Sequence, residues 1–365
     1  MDFTPSSSQR LLVATARDVL AKHCPPETAQ RLALDPRGFD EALWRRMAEL
    51  GWPGLLIPGA FGGSDGSLLD VVLLVEEMGR AALPSPFVTS AVVTTSLLVA
   101  AGSAAQRDRL LPALAAGERI ATLALVEEGG SFDPTALALR CDAPGRLTGA
   151  KLFVKDAHVA DDLIVALAGG DLLLLPADRA GIARLPLDTL SGEKTFEVNF
   201  DAVEVGVDDR LGAGPSPEAL AAALTAGALA RTAEMVGAAQ RVLDLAVEHA
   251  RTRVQGGRPI GAYQAIQHAC ADLVRDVDAS RGLLYVAAWK VSQGWDAGID
   301  VATAKAYVGE ACLAVARRGH QIFGAIGYCE EHPLHLLHKR IQAASVDFGD
   351  AALHLETVAR GIGLV

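Results

Sequence analysis

Apolar residues in this chain recur at helical spacing, then at strand spacing, then at helical spacing again. Few folds accommodate that order. In the first stretch, Phe39 to Leu50 carries Leu43, Trp44, Met47 and Leu50 on one face. Leu69, Val72, Leu73 and Val75 then lead a second helix into Glu76-Glu77-Met78. The run from Pro58 to Gly66 between them is made of turn residues. Two more helices are expected, from about Ala91 to Gly102 and from about Ala105 to Ala116, with Gly117 as a stop.

The middle of the chain is different. Ala121 to Val126, Ala136 to Arg140, Leu147 to Val154, Asp162 to Leu167, Leu172 to Leu175 and Thr195 to Val205 are short and rich in Val, Leu, Phe and Thr. Turn residues separate them, so strands are expected. No helix alternates with them and no G-x-G-x-x-G follows a strand, which disfavours a dinucleotide-binding α/β unit. From Ser216 the helical period returns. Met235, Val236, Ala239, Val242, Leu243, Ala246, Val247, Ala250 and Val254 form one stripe, and Arg241, Asp244, Glu248 and Arg251 lie off it. Further helices are expected from about Ala262 to Ser292, Ala302 to Phe323, Pro333 to Ser345 and Asp350 to Ile362. The expected fold is α+β and mostly α: a helical domain over 1–118, a small antiparallel barrel or sandwich over 119–212 and a helical bundle over 213–365.

Charge narrows the function. Lys plus Arg number 33 against 44 Asp plus Glu, a net charge of −11. That balance argues against nucleic acid as a partner, since phosphate binding needs a local excess of cations. The 5 cysteines include no C-x-x-C pair. Reduced thiols in a cytoplasmic protein are expected, not a disulfide framework or a zinc site. Met1 to Arg10 has no basic stretch leading into an apolar run, so no signal peptide is expected. The uncharged stretch between Arg80 and Arg107 contains Pro84 and Pro86 and reads as a turn and a buried helix, not a membrane span. His335 and His338 stand three apart on a helix, but no carboxylate–histidine signature surrounds them, and no metal is expected.

Several motifs together carry a resemblance. Leu50-Gly51-Trp52 leads through Gly62-Gly63 to Val75-Glu76-Glu77-Met78-Gly79-Arg80-Ala81. Arg253-Val254-Gln255-Gly256-Gly257-Arg258-Pro259-Ile260 is followed by Gln264-Ala265-Ile266-Gln267, and later by His320 to Tyr328. With these motifs the chain resembles the acyl-CoA dehydrogenase family along nearly its whole length. The resemblance implies a helical domain, a β-barrel and a four-helix bundle. It also implies FAD as cofactor, an acyl-CoA thioester as substrate and α,β-dehydrogenation to a 2-enoyl-CoA. An electron-transfer flavoprotein is the implied acceptor, and a tetramer the implied assembly. Such chemistry needs a base for a weakly acidic α-proton and polarisation of the thioester oxygen. A carboxylate in a dry pocket suits the first task, because desolvation raises its proton affinity.

Set against the family pattern, the chain departs at the chemistry. The family's late base motif, Tyr-Glu-Gly-Thr, aligns on Gly349 with Phe348 at the Glu, while Asp347 stands one residue early. The family's alternative base position falls on Gly227, and the nearest acid is Glu234. Glu234 and Asp347 are therefore the candidate bases; an intrahelical pair with Arg231 competes for Glu234, and Asp350 suits a helix cap. In the flavin-ring loop, Val126 replaces a Thr, Phe132 stands at the Ser with Ser131 as its substitute, and Phe153 stands at a Trp. The adenosine-diphosphate contacts fare better. Arg253, Gln321 and Gly324 match them, and a guanidinium suits a pyrophosphate. Two readings follow: a self-sufficient flavoenzyme with an altered base, or the base-lacking partner in a heteromeric enzyme of α2β2 form, as in steroid-type members. A flavin-free structural paralogue is the third.

Overall fold

The structure is a computed structural model that describes residues 4–143 and 145–364. Helices dominate both ends of the chain. α1 (Ser7–His23) opens on a capping box, in which the Ser6 hydroxyl accepts from the Gln9 amide at 3.2 Å and the Gln9 side chain accepts from the Ser6 amide at 2.9 Å. α2 (Pro26–Leu34) and α3 (Glu41–Glu49) follow, then α4 (Leu68–Arg80). A π-helical stretch (Phe87–Thr94) runs into α5 (Thr95–Ala101), and α6 (Ala104–Ala115) ends the segment. Beyond the strands come α7 (Pro217–Thr252), α8 (Gln264–Ser292), α9 (Gly298–Phe323), α10 (Leu334–Val346) and α11 (Ala351–Gly361). α7 is long and apolar enough to cross a membrane, yet 72% of its most apolar window is buried, as in a core helix.

The strand region corrects the expected antiparallel barrel. β1 (Ala121–Ala124), β3 (Asp162–Ala166) and β4 (Leu172–Pro176) form one three-stranded sheet, in the order β1-β3-β4. β2 (Arg146–Lys155), β6 (Thr195–Glu204) and β5 (Ile182–Leu187) form another, in the order β2-β6-β5. Among the described residues these sheets stay separate and no barrel closes. β1 and β3 are parallel, because the chain crosses to the other sheet for β2 before it returns. Leu147, Leu163, Val165, Leu173, Val198 and Phe200 share the core of this region. The strand expected from Ala136 to Arg140 is also absent. Its amides at Ala138 and Leu139 donate to the Glu127 carboxylate, at 2.7 and 3.1 Å, and not to a neighbouring strand.

Two compact units arise, each from separate chain segments. One gathers residues 1–31, 68–83 and 228–365, and the other 32–67 and 84–227. In the first, α1 packs on α4, α4 on α8, and α9 on α8, α10 and α11. α4 and α7 meet backbone to backbone. A Cβ on Gly237 would lie 1.8 Å from the Glu76 carbonyl oxygen, and one on Gly79 would lie 2.1 Å from that of Glu234. Only glycine permits this approach. Around the crossing, Glu76 accepts from Arg281 Nε at 2.9 Å and from the Tyr285 hydroxyl at 2.7 Å. Glu77 accepts two bonds from Arg17, at 3.0 and 2.6 Å. Replacing Gly237 with Ala must push the helices apart, and urea denaturation is expected to show a loss of about 1–3 kcal/mol or more.

Candidate functional site

The candidate base residues lie where α10 ends and α11 begins. Asp347 leaves α10 in an extended conformation, with φ −66° and ψ 138°. Phe348 and Gly349 then take φ of +57° and +99°. Two successive left-handed residues turn the chain, and the first is a bulky one, which marks local strain. Asp350 caps α11 by accepting from the Leu353 amide at 2.9 Å, the role open to it in the sequence. Lys305, on α9 and 1% exposed, holds the turn. Its ammonium donates to the carbonyls of Ala344, Ser345 and Gly349 at 3.1, 2.8 and 3.0 Å. It thereby satisfies carbonyls that the end of α10 leaves without helical partners. Burial pulls the Lys305 pKa down to about 8, against the attraction of Asp347.

Glu234 and Asp347 are brought together by Arg231. The guanidinium reaches Glu234 Oε2 at 2.5 Å through Nη1 and Asp347 Oδ2 at 3.0 Å through Nε. Arg340 on α10 pairs with the other Glu234 oxygen and donates to the Leu83 carbonyl at 3.0 Å. All four side chains are buried. The intrahelical pair with Arg231 was visible in the sequence as an i, i+3 spacing. Arg340 was not, since 106 residues separate it from Glu234. Both Glu234 oxygens are thus taken by guanidinium groups, an arrangement that stabilises a charge and does not leave it ready to receive a proton.

The residues matched to the cofactor sort by unit. Val126 is buried, and its carbonyl accepts from the Leu152 amide at 2.7 Å. Ser131 is exposed, and its hydroxyl is engaged locally by the Asp133 amide at 3.0 Å. Phe153 has φ +54° and is 54% exposed, turned outward at an irregularity in the β2–β6 register between Lys151 and Val154. Lys151 anchors this loop, a role that sequence reasoning missed. Fully buried, it donates to Glu127 at 2.7 Å and to the Leu125 carbonyl at 2.9 Å. Burial alone would raise the Glu127 pKa, but the bonds from Lys151, Ala138 and Leu139 outweigh it and hold the carboxyl below its usual value.

In the other unit, Arg253 is exposed just past α7, and Gln321 and Gly324 are exposed at the end of α9. His249 stacks on Phe323 with ring centroids 4.4 Å apart, which ties these two helix ends together. Gly324 has φ +65°, and a Cβ there would meet nothing within 4 Å. Its backbone is open to close approach by a ligand. His320 stacks on Tyr328 and lies 5.0 Å from His338. Among the described residues, no group of three or more His, Cys, Asp or Glu side chains is set to hold a metal ion.

Comparison with known proteins decides the family. Residues 6–118 match the acyl-CoA dehydrogenase N-terminal domain, and residues 218–363 match the acyl-CoA dehydrogenase C-terminal domain. The acyl-CoA dehydrogenase IpdE2 of Mycobacterium tuberculosis is 31% identical over 94% of this chain and 93% of its own. The chain belongs to the acyl-CoA dehydrogenase family. Among solved structures, the ChsE4–ChsE5 complex from Mycobacterium tuberculosis contains a chain 29% identical to this one, with a TM-score of 0.91 over 100% of both. A Tcur3481–Tcur3483 steroid ACAD is also 29% identical, with a TM-score of 0.89 over 98% of both chains.

Acyl-CoA dehydrogenases are FAD-dependent oxidoreductases. Measured against that cofactor, the two halves of this member differ. Arg253 and Gln321 are exposed and Gly324 is open, so their chemistry is of the kind a diphosphate and its nucleoside would need. The Val126 and Phe153 positions offer an isoalloxazine ring no side-chain hydroxyl. The buried turn also makes a pH prediction. In the unfolded chain Lys305 titrates near 10.5, and in the folded one near 8. Between these values the unfolded chain holds more protons, so burial of Lys305 costs less as pH rises. Relative to Lys305→Met, the wild-type unfolding free energy is expected to climb by up to about 1.4 kcal/mol per pH unit across that window in denaturant titrations.

Proposed function

We propose that this chain is the base-lacking partner in a heteromeric acyl-CoA dehydrogenase, completing an FAD site whose catalytic carboxylate belongs to a paralogous chain. The observation that carries the reading is the pairing of Phe348 at the expected base position with a Glu234 clamped by Arg231 and Arg340. A base must give its lone pair to a substrate proton, and here both oxygens of the best-placed Glu are already held. The similarity to a chain of the ChsE4–ChsE5 complex supports the same reading, and that to a steroid ACAD supports a bulky thioester as substrate.

Under this proposal Arg253 pairs with the FAD diphosphate, Gln321 hydrogen-bonds the nucleoside end, and Gly324 lets the backbone approach closely. Bound FAD would supply the acceptor for a hydride from Cβ of the acyl group. Phe348 fills the base position with an apolar ring and keeps water from it. Val126, Ser131 and Phe153 keep the shape of a flavin loop without its hydrogen bonds. An α2β2 heterotetramer located in the cytoplasm and an electron-transfer flavoprotein as acceptor complete the proposal. The self-sufficient reading would rest on Asp347, the acid nearest the base position, although its Oδ2 faces Arg231 at 3.0 Å.

Flavin content and turnover test this directly. Purified alone, the chain is expected to hold little flavin and to oxidise no acyl-CoA. Co-expressed with its paralogue, it is expected to form a complex with one FAD for each pair of chains, seen in the visible spectrum. In that complex, Arg253→Met is expected to lower FAD retention roughly tenfold or more, while Asp347→Asn leaves turnover within about twofold. Turnover by the chain alone, lost in Asp347→Asn, would establish the self-sufficient enzyme instead. Turnover appearing in Phe348→Glu without a partner would also count against the proposal.

A further inference from the structure

A cleft of about 310 Å3 opens in the first unit among α1, α2, α4, α7 and α10. Its apolar wall includes Leu20, Pro26, Leu336 and Leu337. Arg17, Arg80 and Arg241 line the same space. Two of these guanidinium groups are neutralised. Arg17 makes its two bonds to Glu77, and Arg80 pairs with Asp244 at 2.5 Å. The other Asp244 oxygen accepts from Gln240 at 2.9 Å, and Asp244 attracts Arg241 only through space, without a hydrogen bond or close ion pair between them. Arg241 is half-buried and has no hydrogen-bond or ion-pair partner among the described residues. Burial and the neighbouring Arg80 push its pKa below the usual arginine value.

The three arginines and two acids leave one positive charge beside an apolar wall. A half-buried cation without a counter-ion is costly, and an incoming anion removes that cost. We propose that this cleft binds an aliphatic monocarboxylate, its carboxylate on Arg241 and its chain along Leu20, Leu336 and Leu337. A carboxylate matches the guanidinium fork with two parallel hydrogen bonds, and one negative charge balances the site. The volume stands at the small end of ligand pockets, which favours a short or medium chain over a CoA thioester. No residue assigned above to FAD or to the base position lines the cleft. The site therefore stands or falls apart from the proposed role in dehydrogenation.

Octanoate is a suitable probe, titrated calorimetrically into the full chain in its native assembly. Saturable binding is expected, weakened about tenfold or more in Arg241→Met and partly retained in Arg241→Lys. The neutral analogue 1-octanol is expected to bind more weakly than octanoate. Ala21→Phe, at an exposed position of the cleft, is expected to block binding by filling space. Thermal denaturation of each variant checks that the fold is kept, and flavin content and turnover are expected to be unchanged in Arg241→Met. Absence of saturable binding would overturn the proposal. So would equal affinity in Arg241→Met and Ala21→Phe, which would place the carboxylate elsewhere on the protein.

Discussion

The first unit depends on how closely α4 and α7 approach one another. Two glycines, Gly79 and Gly237, let each helix press on the other's backbone, and any side chain there would overlap a carbonyl oxygen. That contact fixes what the rest of the unit can do. It sets Glu76 and Glu77 beside Arg281, Tyr285 and Arg17. It holds Glu234, whose own carbonyl is part of the crossing, within reach of Arg340. It also leaves Arg80 and Arg241 on the rim of a cleft instead of in the helix interface.

Buried charge is the second organising constraint. An ion pair taken from water repays its desolvation only when geometry and hydrogen bonding are good, so such pairs specify an arrangement more than they stabilise it. Glu234 meets that condition, with its two oxygens held by Arg231 and Arg340, and Lys305 beside it spends its three donors on carbonyls. On the proposed reading, the acids at this place are structural. A chain that locks its carboxylates in this way suits the role of positioning a cofactor for another chain better than that of moving a proton. The exposed Arg253, Gln321 and Gly324 agree with that division of labour.

Much of this was legible from the order of residues. Helical spacing located α3, α4, α6 and the long helices after residue 216, because an amphipathic helix writes its period into the sequence. The pairing of Arg231 with Glu234 and the capping role of Asp350 were legible for the same reason, since both are local. The strand region was less so. Glu127 draws the amides of Ala138 and Leu139 away from a sheet, so the apolar run there is not a strand. β5 escaped notice because none of its residues is fully buried and its apolar residues do not alternate with polar ones.

By itself the sequence determined the family, the helix–strand–helix order and the absence of a Glu at the late base position. Each of these is carried by residue identity or by short-range period. Only the tertiary structure decided the roles of Arg340, Lys305, Lys151 and Arg241. For the first three, the partners lie tens to hundreds of residues away, and Arg241 has no bonded partner among the described residues. Burial and charge balance depend on which segments the fold brings together, and no local pattern encodes them. For that reason Glu234, a candidate base when read along the chain, becomes a clamped anion once Arg231 and Arg340 close on it from two helices.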